Sequence, residues 1–203
     1  MQALAFIKDR VPAWKYVCKV WPQGRTDVQN KADYDLSVEL GIEKNIVYAN
    51  SITSRNFMPY LLAACDIYAA PSRLEGYGMC QVEAGACEKP VIGIKAMGML
   101  DTLIDGETAF LANVGQKIVT NEVIVGTEAG FEPQHKISFS VPRTVDYRAN
   151  VNDIASSLLN LMNHPLLRIE MGRAGRKRAV ENFDYRIVAK NFVEIIHRKL
   201  GIS

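Results

Sequence analysis

Five short apolar runs, each joined to the next by a stretch of helical spacing, constrain this chain most. The runs are Tyr16 to Trp21, Asn45 to Ala49, Asp66 to Ala70, Val91 to Ile94 and Ala109 to Ala112. Each is strand-length and apolar enough to be buried on both faces. Between them lie Gln29 to Leu40, closed by Gly41; a segment that Ser54 can cap, running through Leu61 to Ala64; about Gly78 to Cys87; and Leu100 to Ile104, ending near Gly106. Strands alternating with helices over short connections predict a parallel sheet covered on both faces. Right-handed crossovers make it an α/β, doubly wound, Rossmann-like fold. Ligands of such folds bind at the carboxyl ends of the strands.

Two regions depart from the rhythm. Residues 113–148 read as an inserted β-hairpin, with strands at Lys117 to Val125 and Lys136 to Val141 and Gly130 between them. Residues 149–203 read as helices, beginning at Asn150 or Asn152, at Pro165 and at Asp184. Met1 to Arg10 reads as a further helix, stopped by Pro12. With 203 residues, the chain is expected to be one domain, 1–203.

Composition narrows the function classes. A formal charge of +2 gives no argument for nucleic acid, and the basic cluster Arg173 to Arg178 reads as a solvated helix face. No apolar run reaches the ~20 residues of a transmembrane segment, and no secretory leader pattern opens the chain. Cys18, Cys65, Cys80 and Cys87 lack metal-ligand spacing and read as buried thiols of a reducing, cytoplasmic compartment. His135, His164 and His197 are dispersed, so no metal is expected.

The stretch PSRLEGYGMCQVEAGACEKPVIG, residues 71–93, leaves the third strand at the ligand edge. A helix beginning near Gly78 points free N–H groups and its positive pole at the loop mouth, and Gly76 and Gly78 allow close approach of a phosphate. Glu83, about a turn and a half into that helix, can accept from paired hydroxyls such as those of a ribose. Glu75 can reach the other side of the same phosphate position. A phosphate flanked by two such carboxylates fits a nucleotide-sugar. A tightly packed glycine corner fits the same spacing. A glycosidase pair fits poorly, because nothing sets the roughly 5 to 9.5 Å between carboxyls that such pairs need.

These residues closely resemble the E-x7-E motif of the retaining, GT-B-fold glycosyltransferases of group 1, or family 4, whose usual form is PS-x-x-E-G-F/Y-G-x-x-x-x-E-A-x-A-x-G-x-P-V-I. VYANSITSRNFMPYLLAACDIYAAPS, LIDGETAFLA and RIEMGRAGRKRAVENFDYRIVAKNFVEII are similar to flanking segments of that family. The resemblance implies the donor-binding, C-terminal half of a GT-B enzyme. It implies that Glu83 binds ribose and that Glu75 touches the donor sugar as the catalytic-side carboxylate. The loop Gly76, Tyr77, Gly78, with the amides of Gly78, Met79 and Cys80, should hold the distal phosphate. Asn50, Ser51, Ile52 and Thr53 should border the base. It implies retention of configuration, a nucleotide-diphospho-sugar as substrate, and neither metal nor other cofactor.

Several features depart from the family pattern. The family's domain opens with a strand and a Gly-Arg…Lys-Gly loop, whereas MQALAFIKDRVPAWKY is similar only to the helix that follows. An N-terminal acceptor domain, or a partner subunit, is therefore expected to complete the cleft, with an unknown glycan or lipid-linked acceptor and with peripheral membrane association left open. The chain alone is expected to be inactive. Glu88 stands where glycine is usual, so a different turn is expected there. Lys95 is a candidate phosphate contact, weighed against a plain solvated lysine; Arg55 and Arg73 are weighed likewise. Cys80, at a helix N-terminus, invites a nucleophile reading that lacks a nearby base. A non-catalytic donor-binding or regulatory subunit is the alternative function, and another GT-B enzyme such as a nucleotide-sugar epimerase the third.

Overall fold

The computed structural model describes residues 1–20, 25–49, 54–125, 132 and 134–201, with 25–30 described by backbone alone. The chain order is α1 (Gln2–Ile7), β1 (Tyr16–Lys19), α2 (Arg25–Glu39), β2 (Ile46–Ala49), α3 (Met58–Ala63), β3 (Tyr68–Ala69), α4 (Met79–Ala86), β4 (Val91–Ile94), α5 (Met99–Thr102) and β5 (Ala109–Ala112). Then come β6 (Val114–Val125), β7 (His135–Ala149), α6 (Val151–Asn163), α7 (Pro165–Asn182) and α8 (Tyr185–Leu200). Asn150 caps α6 by accepting from the amides of Asn152 and Asp153, and Asp184 caps α8 by accepting from Arg186. Ser54 makes no side-chain cap. It precedes a single 3-10 turn, Arg55–Phe57, and α3 starts after it with Pro59 in its first turn.

All core strands pair parallel, as the alternation predicts, but the ladder comes in two pieces, β1–β2 and β3–β4–β5. The two pieces share a core: Tyr16 and Cys18 of β1 and Ala69 of β3 pack against the same cluster. One apolar layer spans both pieces. Leu4 and Ile7 of α1, Ile154, Leu158 and Leu161 of α6, and Ile92 form a cluster against which Tyr16, Cys18 and Ala69 pack. The opposite face carries Leu62, Ala84, Val91, Met99, Leu103 and Leu111. In β5, Phe110 and Ala112 go to the first cluster and Ala109 and Leu111 to the second, the period-two alternation of a strand covered on both faces.

The hairpin is longer than its pattern suggests. β6 begins two residues after β5 ends, and β7 runs antiparallel back to Ala149, with register shifts at Val114/Gln116, Ile118/Val119 and Thr120/Glu122. Gly130 lies outside the described residues. Two strands alone are marginally stable, and the root of this pair joins the second core through Val114, Tyr147 and Ala149.

Candidate functional site

The glycine loop leaves the carboxyl end of β3 and ends at Gly78, the N-cap of α4. Gly78 adopts φ +90° and ψ 37°, a left-handed conformation that an L side chain resists, and a Cβ there would stand 3.1 Å from Thr102 Oγ1. Gly78 O accepts from the amides of Gln81 and Val82, both at 3.1 Å, starting the helix. Gln81 is buried and donates to Ala70 O at 3.3 Å and Ser72 Oγ at 3.4 Å, which ties the helix to the end of β3. Its Oε1 is buried and has no partner.

Glu75 has already found the positive end of this helix. Its Oε1 accepts from Gly78 N at 3.1 Å, while its own amide donates to Met97 Sδ at 3.2 Å. A carboxylate is stabilised there by the helix dipole. Of the three amides read as phosphate donors, Gly78 N is therefore occupied by Glu75, and an arriving phosphate would have to displace that carboxylate. The amides of Met79 and Cys80 are the first two of the helix, with no intrahelical acceptor behind them. Glu83 is exposed one turn beyond Cys80. Burial first, and then the charges of Glu83 and Glu75, push the Cys80 thiol up. Tyr68, hydrogen-bonded to Cys80, is pushed up by burial and by the charges of Cys80 and Glu83. The Cys80 thiol is pushed up rather than down, which argues against the nucleophile reading.

The bed beneath the loop explains the small residues of α4. Gly85 faces Gly175 of α7, where an added Cβ would meet Gly175 O at 3.4 Å. A Cβ on Gly172 would lie 2.1 Å from Glu88 O, and one on Gly98 2.4 Å from both Gly76 O and Tyr77 Cα. Three backbone segments thus touch without side chains between them. Glu88 keeps the left-handed turn that glycine would take, at φ 59°, so the turn does not differ as expected; a strained residue occupies it. Arg176 donates to Ala86 O at the end of α4 and lies 3.6 Å from Glu88. Arg178 donates to Thr102 O and Asp101 O, both at 2.8 Å, closing the end of α5. Within the basic cluster, then, only Arg173 and Lys177 behave as a solvated face; the other two neutralise helix C-termini. Arg178 also stacks 5.5 Å from the Phe183 ring, which meets Tyr77 edge-on at 6.3 Å.

Other expected site residues fare differently. Asn50, Ser51, Ile52 and Thr53 lie outside the described residues. Lys95 sits at the end of β4 with its Nζ 3.4 Å from Asp105, and lines an open cleft of about 520 Å³ with Asn113, Gln116 and Lys117. Arg73 is no free surface residue: it pairs through two nitrogens with Asp146 of β7. Met97, Asp146, Arg178 and Phe183 carry no local signal of their role. Met97, Asp146 and Phe183 reach the loop from remote segments, Arg178 reaches the end of α5, and only the folded arrangement brings them there. No group of metal-ligating side chains occurs among the described residues, and no described helix is long and apolar enough to cross a membrane.

The family model for "Glycosyl transferases group 1" matches residues 28–125. The chain is 23% identical over 164 residues, 81% of its length, to the alpha-1,3/1,6-mannosyltransferase ALG2 of Dictyostelium discoideum, of which this covers 30%. The chain spans about a third of the length of the curated relatives it matches. Among solved structures, it superposes on the C-terminal domain of the group 1 family glycosyl transferase LpcC from Francisella tularensis, at 21% identity and TM-score 0.64, covering 90% of this chain and 76% of that one. It also superposes on Anabaena HepE in complex with UDP, at 19% identity and TM-score 0.69, covering 98% of this chain and 45% of that one. Residues 28–125 thus carry the pattern of the group 1 glycosyltransferases, and the chain as a whole shares the fold of the GT-B glycosyltransferases on which it superposes.

Proposed function

We propose that this domain binds a nucleotide-diphospho-sugar at the N-terminus of α4 and, joined to a second domain, serves retaining glycosyl transfer. One observation carries the reading: a helix N-terminus opening on a glycine loop, with Glu75 bound to the Gly78 amide and Glu83 exposed one turn beyond Cys80. In the proposed bound state the distal phosphate takes the amides of Gly78, Met79 and Cys80. Glu75 leaves Gly78 N and turns to the hydroxyls of the sugar, and Glu83 accepts from the ribose diol. As the bond from the anomeric carbon to the diphosphate breaks and an acceptor hydroxyl bonds to that carbon, giving its proton to the departing phosphate oxygen, charge accumulates on the diphosphate, where fixed N–H groups and the helix dipole stabilise it most. Glu75 then returns to Gly78 N as the product leaves. The bound UDP of the structurally similar HepE supports a nucleotide in this class of fold.

A second reading, a donor-binding subunit that does chemistry only beside another chain, is favoured by α8, whose apolar residues are all unburied. The two readings differ in where the rest of the cleft comes from, which assay of the domain with and without its second half decides.

Isothermal titration with UDP, GDP and ADP tests the site. Glu83→Ala is expected to weaken nucleotide binding roughly tenfold, the loss of charge-assisted hydrogen bonds. Glu75→Ala is expected to leave a sugar-free nucleotide diphosphate bound as tightly or more tightly, because it clears Gly78 N, and to weaken the nucleotide-sugar. Equal losses in both variants would overturn these roles.

A further inference from the structure

Two residues before Glu75, the glycine loop is gripped by the inserted hairpin. Arg73 O accepts from Tyr147 N at 2.7 Å. The Arg73 guanidinium meets Asp146 with Nε at 2.9 Å and with Nη2. A two-pronged pair of this kind fixes direction as well as distance. Asp146 is 7% exposed, and Arg148 Nε lies 3.3 Å from the same carboxylate. Arg73 holds the Asp146 carboxyl below the usual carboxylate range. Tyr147, the next residue of β7, packs in the second core cluster together with Met97, whose sulfur accepts from Glu75 N. The root of the hairpin therefore reaches the loop by backbone, by ion pair and through Met97.

We infer that Asp146 is a positioning residue: acting through Arg73, it sets where Glu75 stands against the N-terminus of α4, and the hairpin root is a strut for the site. The functional consequence rests on the donor-site reading; the clamp itself does not. Without the carboxylate, one backbone hydrogen bond remains between Arg73 and β7, and the segment Leu74 to Gly78 gains freedom that a bound donor would have to remove.

Amide hydrogen exchange without nucleotide tests the clamp, read at residues 74–80 and at β4 as an internal control. Asp146→Asn is expected to speed exchange at 74–80 about tenfold and to leave β4 unchanged, since loops open locally while core strands open with the whole fold. Asp146→Glu, which keeps the charge, is expected to stay within about twofold of wild type. Arg73→Gln cuts the same pair from its exposed side, where the side chain is 63% accessible, and should reproduce the Asn result even if Asp146→Asn folds poorly. Unchanged rates at 74–80, or a rise shared equally by β4, overturn the inference. UDP and GDP are then titrated against the same proteins, and whichever binds wild type is expected to bind Asp146→Asn about three- to tenfold more weakly; unaltered affinity overturns the functional half. If neither binds wild type, the donor reading falls while the exchange contrast still decides the clamp.

Discussion

Helix α4 buries Gln81, Val82, Ala84 and Gly85 within eight residues, whereas α8 buries none of its sixteen. Yet α8 carries the larger apolar side chains, including Val188, Phe192 and Ile195. Hydrophobic content alone therefore does not say where this fold is rigid. α4 has small residues because its neighbours are backbone: Gly175 on one side and the Gly172–Glu88 contact just past its end. Close packing makes such a spot intolerant of even one methyl. α8 presents a surface on which substitution meets little, since none of its residues is in the core of this chain.

The sharpest way to break that contrast is Gly172→Ala. Its Cβ would stand 2.1 Å from Glu88 O, inside a backbone contact that cannot rotate away. Overpacking should cost about 3 kcal/mol, a fall in Tm of roughly 10 °C for a domain of this size, read by thermal denaturation. An unchanged Tm would mean that α4 and α7 are not pressed together as described.

Glu88→Gly sharpens the same corner in the opposite direction. The residue sits at φ 59°, so glycine relieves strain, while the Arg176 pair it loses is exposed and adds little. The net expectation is a gain of about 0.5 kcal/mol, strain relief less the added entropy of glycine in the unfolded chain. Urea denaturation at equal slope would detect it, and a clear loss would show that the Glu88–Arg176 pair matters more than the turn.

Phe192→Gln marks the other pole. It should change stability by no more than about 0.5 kcal/mol, as for an ordinary surface site. A loss comparable with that of Gly172→Ala would show α8 to be part of the core.

Much of this architecture was legible in the residues. β4 and β5 match their expected spans, because an all-apolar run bounded by Pro90 and Thr108 leaves few other readings. Asn150, one of the two residues expected to start its helix, and Asp184 cap the helices that follow them. The break between β1–β2 and β3–β4–β5 was not legible, since periodicity counts strands without saying which edges pair. The glycine loop and its two glutamates stood out by chemistry and spacing. Its supports did not: Arg73 and Arg178 look like any exposed cations until Asp146 and the carbonyls of Asp101 and Thr102 are folded beside them. Glu88 and Met97 hide left-handed backbone behind non-glycine identities, at φ 59° and 57°. Glu75 was read as a free ligand-seeking carboxylate, but the positive end of α4 captures it when no anion is present.

That capture is the centre of the account, and amide NMR of the domain reads it directly. Adding UDP or GDP should shift the Gly78, Met79 and Cys80 amides together, as phosphate replaces the Glu75 carboxylate, with Glu83 responding to the ribose. In Glu75→Ala the Gly78 resonance should start away from its wild-type position and move to the same bound position. Saturating nucleotide that leaves these three amides in place, or that shifts residues elsewhere in their stead, would contradict it.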